Sequence, residues 1–265
     1  MTRILHLSDL HFGTENHAVT EALLRLGEEL QPSLHLLSGD ITQRARRGQF
    51  AAARAFIERL QAPVLAVPGN HDLPLFNLPA RLLNPYGNYR RAFGSQLEPV
   101  LETDQLLVAC VNTTRAARHK NGEVSAVQIR RVEQQLRQAR STQLRIVMMH
   151  HPVRAVEETD VDNLLIGRDQ AVPAWVDAGM DLLLAGHIHL PYQVLLGGSH
   201  PERRAWAIQA GTGISERVRG AIPNSVNVIE YSPGTPRRCR LTRWDHAADQ
   251  GRFVPWQSIE LALGP

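Results

Sequence analysis

ILHLSDLH, residues 4–11, is an apolar run that ends at two metal-binding side chains, Asp9 and His11. The run reads as a buried β-strand, and strand ends in an α/β sheet are where ligands and catalytic groups collect. The same figure recurs along the chain. LSGD (37–40) ends at Asp40, and PGNHD (68–72) supplies Asn70, His71 and Asp72. MMHHP (148–152) supplies His150 and His151, and LAGHIH (184–189) supplies His187 and His189. Carboxylate, amide and imidazole groups with no thiolate suit divalent cations such as Mn, Fe, Zn, Co or Ni.

Between these ends the periodicity is helical. Residues 18–30 carry Leu23, Leu26 and Leu30 on one side, with Pro32 just beyond. LHLLS (34–38) is the next strand, QFAAARAFIERL (49–60) an amphipathic helix, and PVLAVPG (63–69) a strand with a sharp turn. This βαβαβ order predicts parallel strands joined by right-handed crossovers. Residues 97–111 read as a hairpin and 127–139 as a helix. LRIVMMH (144–150), a helix near 169–178 and DLLLAGH (181–187) complete the parallel set.

After His189 the pattern changes. YQVLLGG, RAWAIQAGT, SVNVIEY and RRCRLTRW alternate and are separated by Gly, Pro and Asn, which predicts antiparallel strands without helices between them. The expected fold is α/β: a two-sheet αββα sandwich of mixed β-sheets flanked by helices. We expect a single domain over 1–265. Helix-linked parallel strands (about 1–190) would form one sheet, and an antiparallel part (about 191–265) the other.

Composition narrows the partners. Lys plus Arg is 29 and Asp plus Glu is 26, so a net charge of +3 argues weakly at best for nucleic acid. The clusters Arg44, Arg46, Arg47 and Arg237, Arg238, Arg240 read as a solvated helix end or an edge strand. Cys110 and Cys239 lack CxxC spacing and read as buried small hydrophobes, with no disulfide framework. The N-terminus has no signal-peptide pattern, and no run approaches the ~20 apolar residues of a membrane helix. The expected setting is cytoplasmic, with a small substrate as partner, no call for a membrane, and a homodimer as one option.

Residues 73–93, with Pro74, Pro79 and Pro85, read as a long, partly helical excursion beside the site. Its Leu75, Phe76, Leu78, Leu82 and Leu83 are expected to pack onto the domain; pocket lining, lipid contact or a dimer contact are the alternatives. His6 and His35 lie within strands and read as structural. His17, His119, His200 and His246 are expected to be exposed, and Asp181 to be a turn residue.

Taken in order, D-x-H, G-D, G-N-H-D, H and G-H-x-H resemble the calcineurin-like metallophosphoesterase superfamily over about residues 4–190. The resemblance implies two divalent metal ions. Asp9, His11 and His189 would bind one; Asn70, His150 and His187 the other; Asp40 would bridge them. It implies hydrolysis of a phosphodiester by in-line attack of a metal-bridging hydroxide, with manganese or iron as the first choice. His71 would act as general acid or phosphate contact, and Asp72 would orient it. His151 matches no ligand position. Asn112 and Arg115, after the fifth strand, are the candidate substrate contacts.

Within the superfamily, LSDLHFG, GDITQ, VPGNHD and the HHP pair look most like bacterial class III cyclic-nucleotide phosphodiesterases. That resemblance implies 3′,5′- or 2′,3′-cyclic AMP as a candidate substrate. GDITQRARRGQF (39–50) departs from the acidic continuation of those enzymes. A lipid-nucleotide pyrophosphatase and a DNA nuclease of the same superfamily are the alternative enzymes. A non-enzymatic scaffold is disfavoured because every ligand position is filled.

Overall fold

In the computed structural model, which describes residues 1–264, the alternation of ILHL sends Ile4 into one core and Leu5 into another. The chain begins with β1 (Thr2–Leu7), α1 (His17–Leu30), β2 (Leu34–Leu37), α2 (Arg47–Glu58) and β3 (Val64–Ala66). A 3-10 turn over Asn70–Asp72 leads into α3 (Leu78–Leu83) and α4 (Gly87–Phe93). Next come β4 (Val100–Glu102), β5 (Leu106–Cys110), α5 (Ala126–Gln138) and β6 (Leu144–Met148). After a 3-10 segment over Glu158–Asn163 follow α6 (Arg168–Asp177) and β7 (Leu182–Ala185). The chain ends with β8 (Tyr192–Gly197), β9 (Arg204–Gln209), β10 (Ser225–Ser232), β11 (Arg238–Ala247) and β12 (Arg252–Leu261).

Two six-stranded mixed sheets form, in the orders β12-β11-β10-β1-β2-β3 and β4-β5-β6-β7-β9-β8. Inward residues of both sheets, among them Ile4, Leu36, Val108, Ile146 and Leu184, make the core between them. Outward residues Leu5, Leu7 and Leu37 pack with Val19 and Leu23 of α1 and Phe50 of α2. On the second sheet Leu107, Val147 and Leu183 pack with Val132 of α5 and Trp175 of α6. Each such residue belongs to one layer because strand side chains alternate, and burying one contributes roughly 1.5–3 kcal/mol. Helix starts follow local chemistry: Asn16 Oδ1 accepts from Ala18 N and Val19 N, and Ser125 Oγ accepts from Gln128 N.

The two sheets do not divide the chain as expected. β10 pairs antiparallel with β1, so β10–β12 extend the N-terminal sheet. β8 and β9 join the other sheet, and β9 runs parallel to β7. A strand with one buried face can pair with any neighbour of matching polarity, and the alternation does not encode which.

Four further expectations are corrected. Arg237 is not solvated: its guanidinium makes two bonds of 2.8 and 2.9 Å to buried Asp181, joining the two sheets. Asp181 is therefore an ion-pair partner rather than a turn residue. His246 is half-buried against Phe253. Phe76, Leu78, Leu82 and Leu83 do not pack onto the domain; they are exposed. Both cysteines are buried. Among the described residues no helix is long and apolar enough to cross a membrane.

Candidate metal centre

Parallel β1, β2 and β3 and parallel β5, β6 and β7 point their C-terminal ends toward one edge of the sandwich. The loops that leave them are tied together. Asp9 N donates to Gly39 O (3.1 Å), His11 N to Asp40 O (3.0 Å) and Gly186 N to His150 O (2.9 Å). The backbone there is strained. Five non-glycine residues with positive φ are Asp9 (53°), His11 (46°), Asp40 (48°), His187 (81°) and His189 (57°). Such φ values are unfavourable for residues with a Cβ and persist where the surroundings over-determine them, commonly at functional sites.

The glycines at these turns serve different ends. Gly39 has φ +92° and needs its conformational freedom. Gly69 and Gly186 instead permit close approach. A Cβ on Gly69 would lie 2.2 Å from Asp40 N, and one on Gly186 would lie 2.5 Å from Asp9 Oδ2.

Seven side chains converge here. His189 Nε2 lies 3.2 Å from Asp9 Oδ1 and 3.1 Å from His11 Nε2. His150 Nε2 lies 3.3 Å from Asp40 Oδ1 and 3.2 Å from Asn70 Oδ1. Asp40 Oδ2 lies 3.8 Å from His11 Nε2, so its carboxylate reaches both groups. The His187 ring stands 5.0 Å from that of His150, and the His187 backbone N–H donates to Asp9 Oδ2 at 3.0 Å.

The donor set fits cations. Asp9 Oδ1 and both ring nitrogens of His187 are buried with no hydrogen-bond partner. Buried polar atoms in that condition call for an explanation, and an ion is one. Ligand atoms of Asp9, His11 and His189, and of Asp9, Asp40 and His150, lie within 4.8 Å of one another. His151 is also close to His150 and His187. Both its nitrogens are already occupied, by Thr113 Oγ1 (2.7 Å) and Lys120 O (2.9 Å), which excludes it as a ligand.

Titration behaviour follows the same geometry. Burial opposes the charged Asp40 carboxylate, but the imidazoles of His150 and His71 outweigh it and hold its pKa well below the ordinary range. Asp9 is likewise lowered, with burial opposed by His189. Burial also works against a charged His150, yet Asp40 raises its pKa to about 9. For His11 and His187 burial wins, and both fall to about 3.

His71 stands at the lip of a cleft of ≈ 510 Å³ that holds Asp40, Asn70, His187 and His189 in its wall. Its Nδ1 is 2.9 Å from Gln43 O. Asp72 does not touch this ring, contrary to expectation. Its carboxylate accepts from Gly69 N (2.9 Å), Ile41 N (3.1 Å), Thr42 N (2.7 Å) and Thr42 Oγ1 (2.9 Å). It holds the β2 loop to the Asn70 turn and so positions both.

Asn112 and Arg115 also lie elsewhere, in a separate depression with Glu98 and Arg131. Asn112 Oδ1 accepts from Thr114 N at 3.0 Å, and Arg115 Nη2 donates to Gln128 Oε1 at 2.8 Å.

Of the cations that line this cleft, Arg217 reaches His11 and His71, and no motif in the sequence points to it. Its Nη1 is 2.9 Å from Gln43 Oε1, 3.4 Å from His11 Nδ1 and 3.5 Å from His71 Nε2. Its backbone carbonyl lies 2.5 Å from His189 Nδ1. Nothing in SERVRG (215–220) marks it, because it leaves no apolar strand and has no ligand neighbour in sequence.

Comparison with known proteins agrees with this geometry. The family model described as "Calcineurin-like phosphoesterase" matches residues 2–191. A probable glycerophosphodiester phosphodiesterase GpdQ of Arcobacter nitrofigilis is 26% identical over 161 residues, which is 60% of this chain and 57% of that protein. A probable cyclic nucleotide phosphodiesterase of Synechococcus is 28% identical over 167 residues, 61% of this chain and 60% of that protein. The match thus spans less than two thirds of either relative. Among solved structures, a dimetal phosphatase from Danio rerio superposes over 99% of both chains with a TM-score of 0.66 at 13% identity. At that identity the likeness concerns the fold.

Proposed function

The chain belongs to the calcineurin-like phosphoesterase family, and on that premise we propose that it is a metal-dependent phosphodiesterase acting on a small phosphodiester. Asp9, His11 and His189 would hold one divalent ion, and Asn70, His150 and His187 a second, with Asp40 shared. The observation that carries this reading is the convergence of these seven side chains at one sheet edge, with buried donor atoms lacking partners. When bound, the ions supply Lewis acidity toward phosphoryl oxygens and acidify a coordinated water.

The chain's own residues do the rest. A carbonyl oxygen only accepts, so the contact with Gln43 O keeps the proton on His71 Nδ1 while the ring is neutral. Nε2 then faces the cleft and can hold a second proton for the leaving oxygen. Arg217 adds fixed positive charge beside His71, where a phosphoryl oxygen would sit. Asp72 and Gly69 keep Asn70 and Asp40 in register.

The names of the relatives suggest glycerophosphodiesters and cyclic nucleotides as candidate substrates, and 3′,5′- and 2′,3′-cyclic AMP are the cyclic nucleotides we propose to try first. The reading is tested by metal analysis together with hydrolysis of bis-p-nitrophenyl phosphate, before and after chelation, and then on those two classes. Turnover that disappears with chelation and returns with Mn is expected. Full turnover in the chelated protein would reject it.

A further inference from the structure

We propose that α3 and the arginines beside it form a docking surface for an anionic lipid bilayer. Phe76, Leu78, Leu82 and Leu83 are 79%, 60%, 80% and 87% exposed. This is a built feature rather than a frayed one. Arg81 of the same helix is buried and donates to Ala116 O (2.7 Å), Pro74 O (2.9 Å) and Arg118 O (2.6 Å). Those bonds fasten α3 down and leave its apolar side chains outward.

The charge around this patch is one-sided. Residues 41–57 and 73–97 carry seven arginines and no Asp or Glu, while the whole chain is only +3, so the remainder is net negative. The two stretches pack together. Asn88 Nδ2 donates to Ala45 O at 2.9 Å, Arg54 Nη1 to Ala92 O at 3.1 Å, and the Arg44 guanidinium lies 5.3 Å from the Phe76 ring centroid. Arg54 pairs with Glu58 and Arg81 is buried. Arg44, Arg46, Arg47, Arg90 and Arg91 are left facing solvent with no carboxylate partner among the described residues.

This combination selects the occupant. Exposed aliphatic side chains gain by entering an acyl layer, and the arginines gain at anionic headgroups; stable attachment takes both signals. A nucleic-acid backbone would use the arginines and leave the leucines in water. A second copy on a two-fold axis would set the arginines against themselves. Leu75 and Arg44 also line the metal-centre cleft, so the docked protein would present that cleft to the bilayer.

The test is co-sedimentation of the full chain with vesicles of phosphatidylcholine alone or mixed with phosphatidylglycerol. Binding to the mixed vesicles only, weakened by salt, is expected. Leu82→Glu/Leu83→Glu should lower it more than about tenfold, with melting temperature and turnover of bis-p-nitrophenyl phosphate unchanged. Arg46→Gln/Arg47→Gln/Arg91→Gln should lower it about fivefold per arginine. No pelleting with mixed vesicles, or equal pelleting of the leucine variant, overturns the proposal. So does a dimer in light scattering that the leucine variant abolishes, or duplex-DNA binding that only the arginine variant loses.

Discussion

His71 Nδ1 lies 2.9 Å from the Gln43 carbonyl oxygen, and this contact fixes which nitrogen faces the cleft. His71→Ala should lose about 10²–10⁴-fold in kcat while keeping its metals. The loss should be greater for an unactivated leaving group than for p-nitrophenolate, because only the former needs the proton. Equal losses on bis-p-nitrophenyl phosphate and a dialkyl phosphodiester would remove the acid role.

Arg217→Gln should reduce kcat by about 10²-fold, and Arg217→Lys should recover part of it. Metal content should not change, since His189 is held by the Arg217 carbonyl rather than its side chain. Steady-state kinetics beside metal analysis separates the two effects.

Asp72 binds three backbone amides and a hydroxyl in a buried turn. Removing the acceptor leaves those donors unpaired, so Asp72→Ala should cost about 2–4 kcal/mol. Urea unfolding of the metal-free protein measures this; wild-type stability in the variant would contradict it.

In the metal-free protein Asp40 raises the His150 pKa to about 9, against burial. At pH 7 that imidazole holds a proton which a coordinating Nε2 must lose. Metal affinity should therefore rise as pH climbs from 7 toward 9, by about tenfold per unit for one proton. Calorimetric Mn titrations in buffers of different ionisation enthalpy should show proton release at pH 7.

His6 is wholly buried between Ser38 and Asn227, and burial lowers its pKa to about 3. Above the unfolded value of 6.5 it is neutral in both states. As pH falls below that, the unfolded chain takes a proton that the fold refuses until pH falls to about 3. Stability should therefore fall by about 1.4 kcal/mol per pH unit from this group. His6→Gln should flatten the slope by one proton in melts between pH 7 and 5.

The grouping of the seven candidate ligands was legible because they sit at strand ends, where a hydrophobic run stops at a polar residue. The layering was legible from alternation, as Ile4 and Leu5 illustrate. Partnership was not. Nothing local tells β10 to pair with β1 or Arg237 to meet Asp181, since both depend on contacts far apart in sequence. The Asp72 role was misread because adjacency to His71 does not set the direction of a carboxylate in a 3-10 turn. Arg217 escaped because a guanidinium reaching in from a loop has no periodic signature. The exposure of Leu82 and Leu83 ran against the usual burial of leucine.

The sharing of Asp40 between two ions is tested most directly by electron paramagnetic resonance on the Mn-loaded protein, with the metal counted on the same sample. Two ions per chain and a spin-coupled dinuclear signal are expected, replaced in Asp40→Asn by weakened binding and the signal of isolated Mn. One ion per chain, or two uncoupled ions in the unsubstituted protein, would contradict the shared centre.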